Sequence, residues 1–118
     1  MGVARLDEDL YFISMAARLL DMHPQTLRKY ERLGLVQPAR TLGSVRVYSR
    51  PQLDRLKLIK HLVEDVGVNL AGVQRLLTIA ESVERIRPMV RGASASAVRR
   101  DARRLAREID RISELVGL

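Results

Sequence analysis

The sequence has 118 residues and lacks cysteine and tryptophan, and its aromatic side chains are limited to three Tyr and one Phe. The absence of cysteine excludes disulfides, thiol catalysis, redox sensing and thiolate metal sites. Two histidines that are distant in sequence (His23 and His61) offer no cluster of metal ligands. So few aromatic rings also argue against binding single-stranded nucleic acid by base stacking.

Long apolar runs and signs of catalysis are missing as well. No apolar run approaches the length of a membrane span, and the first residues show no signal-peptide pattern. Acidic residues are scattered, there is no glycine-rich phosphate loop, and no nucleophile lies beside a plausible base. The sequence therefore predicts a cytoplasmic protein that is not an enzyme, needs no metal or cofactor and does not enter a membrane.

Positive charge is abundant and concentrated. The stretch from Arg18 to Lys60 holds ten Arg or Lys and three acidic residues, a net charge of +7 that equals the charge of the whole chain. Such a balance favours an anionic partner, and nucleic acid is a commoner partner than a membrane. With 47% hydrophobic residues, the chain is also expected to fold.

Residues 13–80 follow the pattern of a helix-turn-helix. A first helix ends near Leu20, and Pro24 suits the first position of a second helix, since its missing N–H has no partner there. This second helix is expected to end at Leu33, because Gly34 can adopt the left-handed conformation that follows many helices.

A small β-hairpin, or wing, is predicted after the second helix. Gly43-Ser44 forms its turn, and residues 45–48 alternate with a period of two, so that Arg46 and Tyr48 share one face. Ser49 and Gln52 have the spacing of a capping box that opens a third helix, and Asn69 is expected to cap a fourth.

Three further segments are predicted on either side of this domain. Residues 1–12 form a flexible arm, residues 81–95 form a partly helical connector that breaks near Pro88–Gly92, and residues 96–118 form a dimerisation helix. Apolar residues recur along this last helix at alternating steps of four and three, as in a coiled-coil seam. The seam contains Val98, Ala102, Leu105, Ile109, Ile112 and Val116. Either a second chain or the helix's own domain must cover it.

The fold class is therefore mainly α, a winged helix-turn-helix followed by a C-terminal dimerisation helix, and double-stranded DNA is the expected partner. Base contacts are assigned to one face of the second helix: Gln25, Thr26, Arg28 and Lys29. Phosphate contacts are assigned to Arg18, His23, Arg40, Arg46, Tyr48 and Lys60. Structural roles remain open as alternatives, a helix cap for His23 and a core position for Tyr48, and a merely solvated basic face is the alternative for Arg28.

Several motifs resemble those of MerR-type transcriptional regulators. These are the run from Thr26 to Glu31, Gly34-Leu35-Val36 with Pro38, and Arg46-x-Tyr48-Ser49. Two longer strings, residues 22–28 and 67–73, resemble the HspR-type heat-shock repressors of that family. The likeness extends over about residues 13–77.

This resemblance implies a homodimer that binds an inverted repeat near chaperone genes, with the DnaK chaperone as co-repressor. It also implies that the Tyr30 hydroxyl contacts a phosphate, unless its ring packs beneath the wing. The chain departs from the wider family at Asp21, usually Gly, at His23, usually Ser or Thr, and at Val45, where the wing usually has Tyr. A MerR-type activator that distorts promoter DNA and a basic protein-interaction module remain alternative functions.

Overall fold

The protein is described by a computed structural model that covers residues 9–118. Within them the backbone forms two compact units, the first ending at Gly67 and the second running from Val68 to Leu118. The division therefore precedes the fourth helix, whereas the sequence analysis placed this helix in the DNA-binding domain.

A three-stranded antiparallel sheet lies in the first unit. Its strands are β1 (Leu10–Phe12), β2 (Ala39–Arg40) and β3 (Arg46–Ser49), in the order β1-β3-β2. The prediction of a flexible arm over residues 1–12 is wrong for Leu10–Phe12, which pair with β3 through Tyr11 opposite Tyr48; residues 1–8 lie outside the described residues. On β3, the central strand, the adjacent residues Val47 and Tyr48 are both buried, so both faces of the strand are covered at this point.

The helix-turn-helix consists of α1 (Ile13–Leu20) and α2 (Pro24–Arg32). Asp21, at a position where the family resemblance implies Gly, ends α1 in the left-handed conformation at φ +53°. An Asp tolerates this region better than most residues with a side chain. Gly34 has φ +76° just after α2, as its position predicted.

The capping box is confirmed at the start of α3 (Arg50–Lys60). The Ser49 hydroxyl accepts from the Gln52 backbone N–H at 3.5 Å, and the Ser49 N–H donates to Gln52 Oε1 at 2.8 Å. A π-helical segment, His61–Val66, continues α3 up to Gly67. The core of this unit packs α1, α2 and α3 under the sheet, and its most deeply buried large side chains are Leu27, Val36, Tyr48, Leu56 and Ile59.

The second unit contains α4 (Leu70–Val90), α5 (Ala95–Arg100) and α6 (Ala102–Val116). The predicted break falls at the end of its range, since α4 runs through Pro88 and stops two residues later. Proline deprives a helix of one N–H, but so close to a C-terminus few later hydrogen bonds depend on it.

The predicted single helix over residues 96–118 is interrupted at Asp101, and α6 packs along α4 of its own unit. Leu105 and Ile112 are half-buried on this contact, together with Leu115. Arg85 on α4 donates to Glu108 on α6 at 2.8 Å, and Arg75 donates to the Leu115 carbonyl at 3.0 Å. The predicted seam is therefore covered only in part, because its members Ala102, Ile109 and Val116 remain exposed.

No helix within residues 9–118 combines the length and the apolar character needed to cross a membrane.

Candidate nucleic-acid interface

The second helix of the helix-turn-helix presents one buried and one polar face. Leu27 and Tyr30 point into the core, with 0% and 5% of their surface exposed. The predicted base-contact residues lie on the other side: Gln25 and Lys29 are exposed, and Thr26 and Arg28 are half-exposed. Within residues 9–118, the side chains of Arg28 and Lys29 make no hydrogen bond or ion pair, so both can reach a ligand.

The wing is tied to α2 by one acidic residue. Glu31 accepts from Arg46 Nε on β3 at 2.5 Å and from Arg40 Nη2 on β2 at 2.8 Å. Its side chain is only 22% exposed, so this three-residue cluster, called here the Glu31 bridge, is shielded in part from water. Charge-assisted hydrogen bonds of this kind are stronger than neutral ones.

The Glu31 bridge changes the electrostatics of its members. Burial raises the pKa of Glu31, but the hydrogen bond and charge of Arg46, with those of Arg40, outweigh this effect and hold its pKa below the ordinary value. Glu31 is therefore a carboxylate at neutral pH. It orients the two wing arginines that the sequence assigned to phosphate and neutralises part of their charge.

Two of the residues that were predicted to contact phosphate have structural roles instead. The assignment of Tyr48 to phosphate is wrong, because the residue is 0% exposed and its buried hydroxyl has no hydrogen-bond partner within residues 9–118. Its aromatic ring belongs to the core, which was the alternative. Lys60 donates to the carbonyls of Leu20 and Asp21 at 2.8 and 3.2 Å, and so caps the C-terminal end of α1.

Among the other residues predicted to contact phosphate, two are engaged in the fold and one is exposed. His23 caps α2, since its Nδ1 accepts from the Gln25 backbone N–H at 3.0 Å, which supports the structural alternative. The ring of Tyr30 is buried, and desolvation, followed by the charge of Glu64, raises the pKa of its hydroxyl. Arg18 is exposed, and its side chain makes no hydrogen bond or ion pair within the described part of the chain.

Sequence reasoning missed the role of Glu31, which it treated only as part of a motif and of a charge count. One signal was available, because Glu31 is the sole acidic residue between Asp21 and Asp54, a stretch rich in Arg and Lys. An isolated acid among many bases is a natural partner for several of them. Its choice of Arg40 and Arg46 could not be predicted, because it depends on the sheet register.

The second unit exposes apolar side chains in two rows. On α4, Leu76, Val83 and Val90 recur every seven residues and are 36–46% exposed. On α6, Ile109 and Val116 are 50% and 55% exposed. Each row follows one helix face and is broad enough to contact another helix.

Comparison with known proteins places the first unit and the start of the second in one family. The MerR HTH family of regulatory proteins matches residues 11–78, which is more than half of the chain. The chain is 47% identical over 77 residues to a putative heat shock protein HspR of Streptomyces coelicolor, covering 65% of this chain and 51% of that protein. It is 36% identical over 74 residues to a probable heavy metal-dependent transcriptional regulator of Haemophilus influenzae, covering 62% and 57%.

Solved structures with similar folds are regulators as well. HiNmlR, a MerR family regulator lacking the sensor domain and bound to promoter DNA, superposes with a TM-score of 0.56 at 24% identity over 86% of this chain and 80% of that one. A MerR family regulator from Bacillus cereus gives the same TM-score at 22% identity, over 92% and 76%. The chain spans about half the length of the curated relatives named above. The chain belongs to the MerR family of helix-turn-helix, DNA-binding transcriptional regulators.

Proposed function

We propose that this protein is a homodimeric, sequence-specific repressor of heat-shock and chaperone genes that binds an inverted repeat in their promoters. The observation that carries DNA reading is the polar face of α2, where Gln25, Arg28 and Lys29 stand opposite the buried Leu27. Arg28 suits a bidentate contact to guanine and Gln25 suits adenine. Arg18 and the wing arginines supply phosphate contacts that fix the orientation of the helix.

Dimer formation is supported by the apolar rows of the second unit. The rows on α4 and α6 leave large aliphatic side chains in water, and a second copy of the same helices would cover them. Two copies related by a two-fold axis require a DNA site with the same symmetry, which is why an inverted repeat is proposed.

The heat-shock assignment is supported by the 47% identity over 77 residues to a putative heat shock protein HspR. This protein would then share the DnaK co-repressor implied by that resemblance. Purified DnaK should strengthen binding of the protein to its promoter site in a mobility-shift assay, and the absence of any such change would remove DnaK from the proposal.

Genome-wide binding before and after heat shock, with transcript levels in a deletion strain, tests the function. Occupancy is expected upstream of chaperone operons at normal temperature and should fall after heat shock, while chaperone transcripts rise in the deletion strain. A fall of these transcripts on deletion would instead identify an activator. The absence of promoter occupancy would leave only a protein-interaction role.

A further inference from the structure

The junction of α5 and α6 carries a dense group of arginines. Five exposed residues within nine positions form this arginine cluster: Arg99, Arg100, Arg103, Arg104 and Arg107. Asp101 is the one acidic residue among them, so the cluster has a net charge of +4. The whole second unit, with ten Arg and six acidic residues, also has a net charge of +4. The net charge of this unit is therefore located in one short segment.

Three of the five other arginines in this unit are engaged in its own structure. Arg75 and Arg85 hold α6 to α4, and Arg87 pairs with Glu84 at 2.8 Å. Within the arginine cluster, Arg104 approaches Asp101 at 4.0 Å. The side chains of the other four make no hydrogen bond or ion pair with any residue of the described range 9–118. The fold does not use these guanidinium groups, and their mutual repulsion opposes it.

The amino-acid composition of the second unit indicates which class of partner the arginine cluster suits. All ten basic residues of the second unit are arginines, whose planar fork bonds phosphate oxygens in pairs. The unit has no aromatic residue, so it cannot stack unpaired bases. Leu105 is the one large apolar residue within the cluster, and it is half-buried while the five arginines are exposed. The exposed surface is therefore mainly charged, whereas the centre of a protein–protein interface is usually apolar. These features favour the phosphate backbone of duplex DNA over an acidic protein.

We propose that the arginine cluster is a second phosphate-binding surface, which contacts duplex DNA in addition to α2 and the wing. The proposal rests on DNA reading by the first unit. A duplex already held by α2 presents its phosphates to the second unit at high effective concentration, so individually weak contacts still contribute to binding. Because Arg103 and Arg107 are one helical turn apart on α6, they share a face and can act together.

The test compares two double variants that remove equal charge from the second unit. R103Q/R107Q alters the arginine cluster, and R87Q/R91Q is the matched control, since both of its residues are exposed on α4 or at its end. Affinity for a duplex of about 60 base pairs with unrelated sequence is measured by fluorescence anisotropy across a series of NaCl concentrations. R103Q/R107Q is expected to lose about ten-fold in affinity near physiological salt, and its log–log salt slope should decrease by about 2 per protomer. The control should change by less than about three-fold.

Equal behaviour of the two variants would overturn the proposal, as would an unchanged salt slope in R103Q/R107Q. If DNA binding persists while retention on immobilised poly-glutamate is lost only in R103Q/R107Q, the surface serves an acidic protein and the proposal is also wrong. Circular dichroism should give both variants the wild-type melting temperature, because the four side chains are exposed. Because the duplex has an unrelated sequence, this assay does not depend on an operator. A loss of affinity in it is therefore distinguishable from a failure of the proposed promoter binding.

Discussion

Glu31 shows how one side chain couples α2, the helix proposed to read bases, to the wing proposed to contact the DNA backbone. Its two carboxylate oxygens are divided between the wing arginines, one on β2 and one on β3. Because the same residue lies on α2, movement of the wing relative to this helix must break charge-assisted hydrogen bonds. The side chain therefore preorganises two predicted phosphate contacts at a partial loss of their charge.

Substitution E31Q should lower the free energy of unfolding by about 1–2 kcal/mol at neutral pH, because an amide cannot replace both charge-assisted bonds. Urea denaturation measures this change. The variant should also bind unrelated DNA more tightly, since Arg40 and Arg46 regain full charge. D54N, which removes an exposed acid from α3, is the control and should change stability little.

The contribution of Glu31 should depend on pH in a defined direction. Its pKa is lower in the folded protein than the ordinary value of 4.5, so the stabilisation is complete above 4.5 and is lost as pH falls through the folded-state pKa. The stability difference between wild type and E31Q should therefore shrink between pH 6 and pH 3. A difference that stays constant over this range would show that the bridge does not depend on ionised Glu31.

Tyr48 presents the opposite case, a buried hydroxyl without a partner. Y48F removes a desolvated polar group and keeps the ring, so unfolding free energy should be unchanged or should rise by up to about 1 kcal/mol. Y11F, which alters a half-exposed hydroxyl near Arg50, is the matched control and should stay close to wild type. Destabilisation of Y48F by more than about 1 kcal/mol would mean that its hydroxyl is hydrogen-bonded in solution.

At the scale of elements, local signals sufficed wherever the determining residues are adjacent in sequence. The capping box at Ser49, Pro24 at the start of α2 and Gly34 after it all act within a few residues, and each was predictable. Strand β1 was not, because its pairing with β3 joins residues about forty positions apart and Leu10–Phe12 is too short for a periodic signal. Burial of Tyr48 follows from that same pairing.

The apolar seam of α6 shows a second limit of prediction from sequence. Apolar spacing predicted that this helix packs against another one, which is true, but spacing alone cannot identify the partner helix. In the structure α6 packs against α4, and Leu105 and Ile112 are half-buried. The contacts of Arg85 with Glu108 and of Arg75 with Leu115 join the two helices. Polar contacts of this kind lie outside the apolar pattern, so the pattern could not show them.

The two sides of the seam should respond differently to a charge. L105D buries a carboxylate between α4 and α6 and should destabilise the second unit by about 2–4 kcal/mol. I109D places the same charge on the exposed row, where it should leave the fold of one chain intact and prevent dimer formation. Circular dichroism and analytical ultracentrifugation separate these effects. A folded, fully dimeric I109D would exclude this row from the dimer interface.

At the scale of the whole molecule, the features that support the proposed function are distributed over both units. The first contains α2, which is the proposed recognition helix, and the wing. The second contains the exposed apolar rows and the arginine cluster. The family could be inferred from sequence because its motifs lie in consecutive residues of the first unit. Neither the Glu31 bridge nor the lack of side-chain partners for four arginines of the cluster could be inferred, since both depend on which side chains lie close together after folding.

The central claim is that two copies of this chain read an inverted repeat through α2. Footprinting on a chaperone promoter with wild type and R28A, followed by affinity for the protected site and for one half-site alone, tests this claim directly. Wild type should protect a two-fold symmetric site and bind it far more tightly than the half-site, whereas R28A should lose specificity at one base pair in each half, worth about 1–3 kcal/mol. Equal affinity for the full site and the half-site, or an R28A footprint identical to that of wild type, would contradict the account.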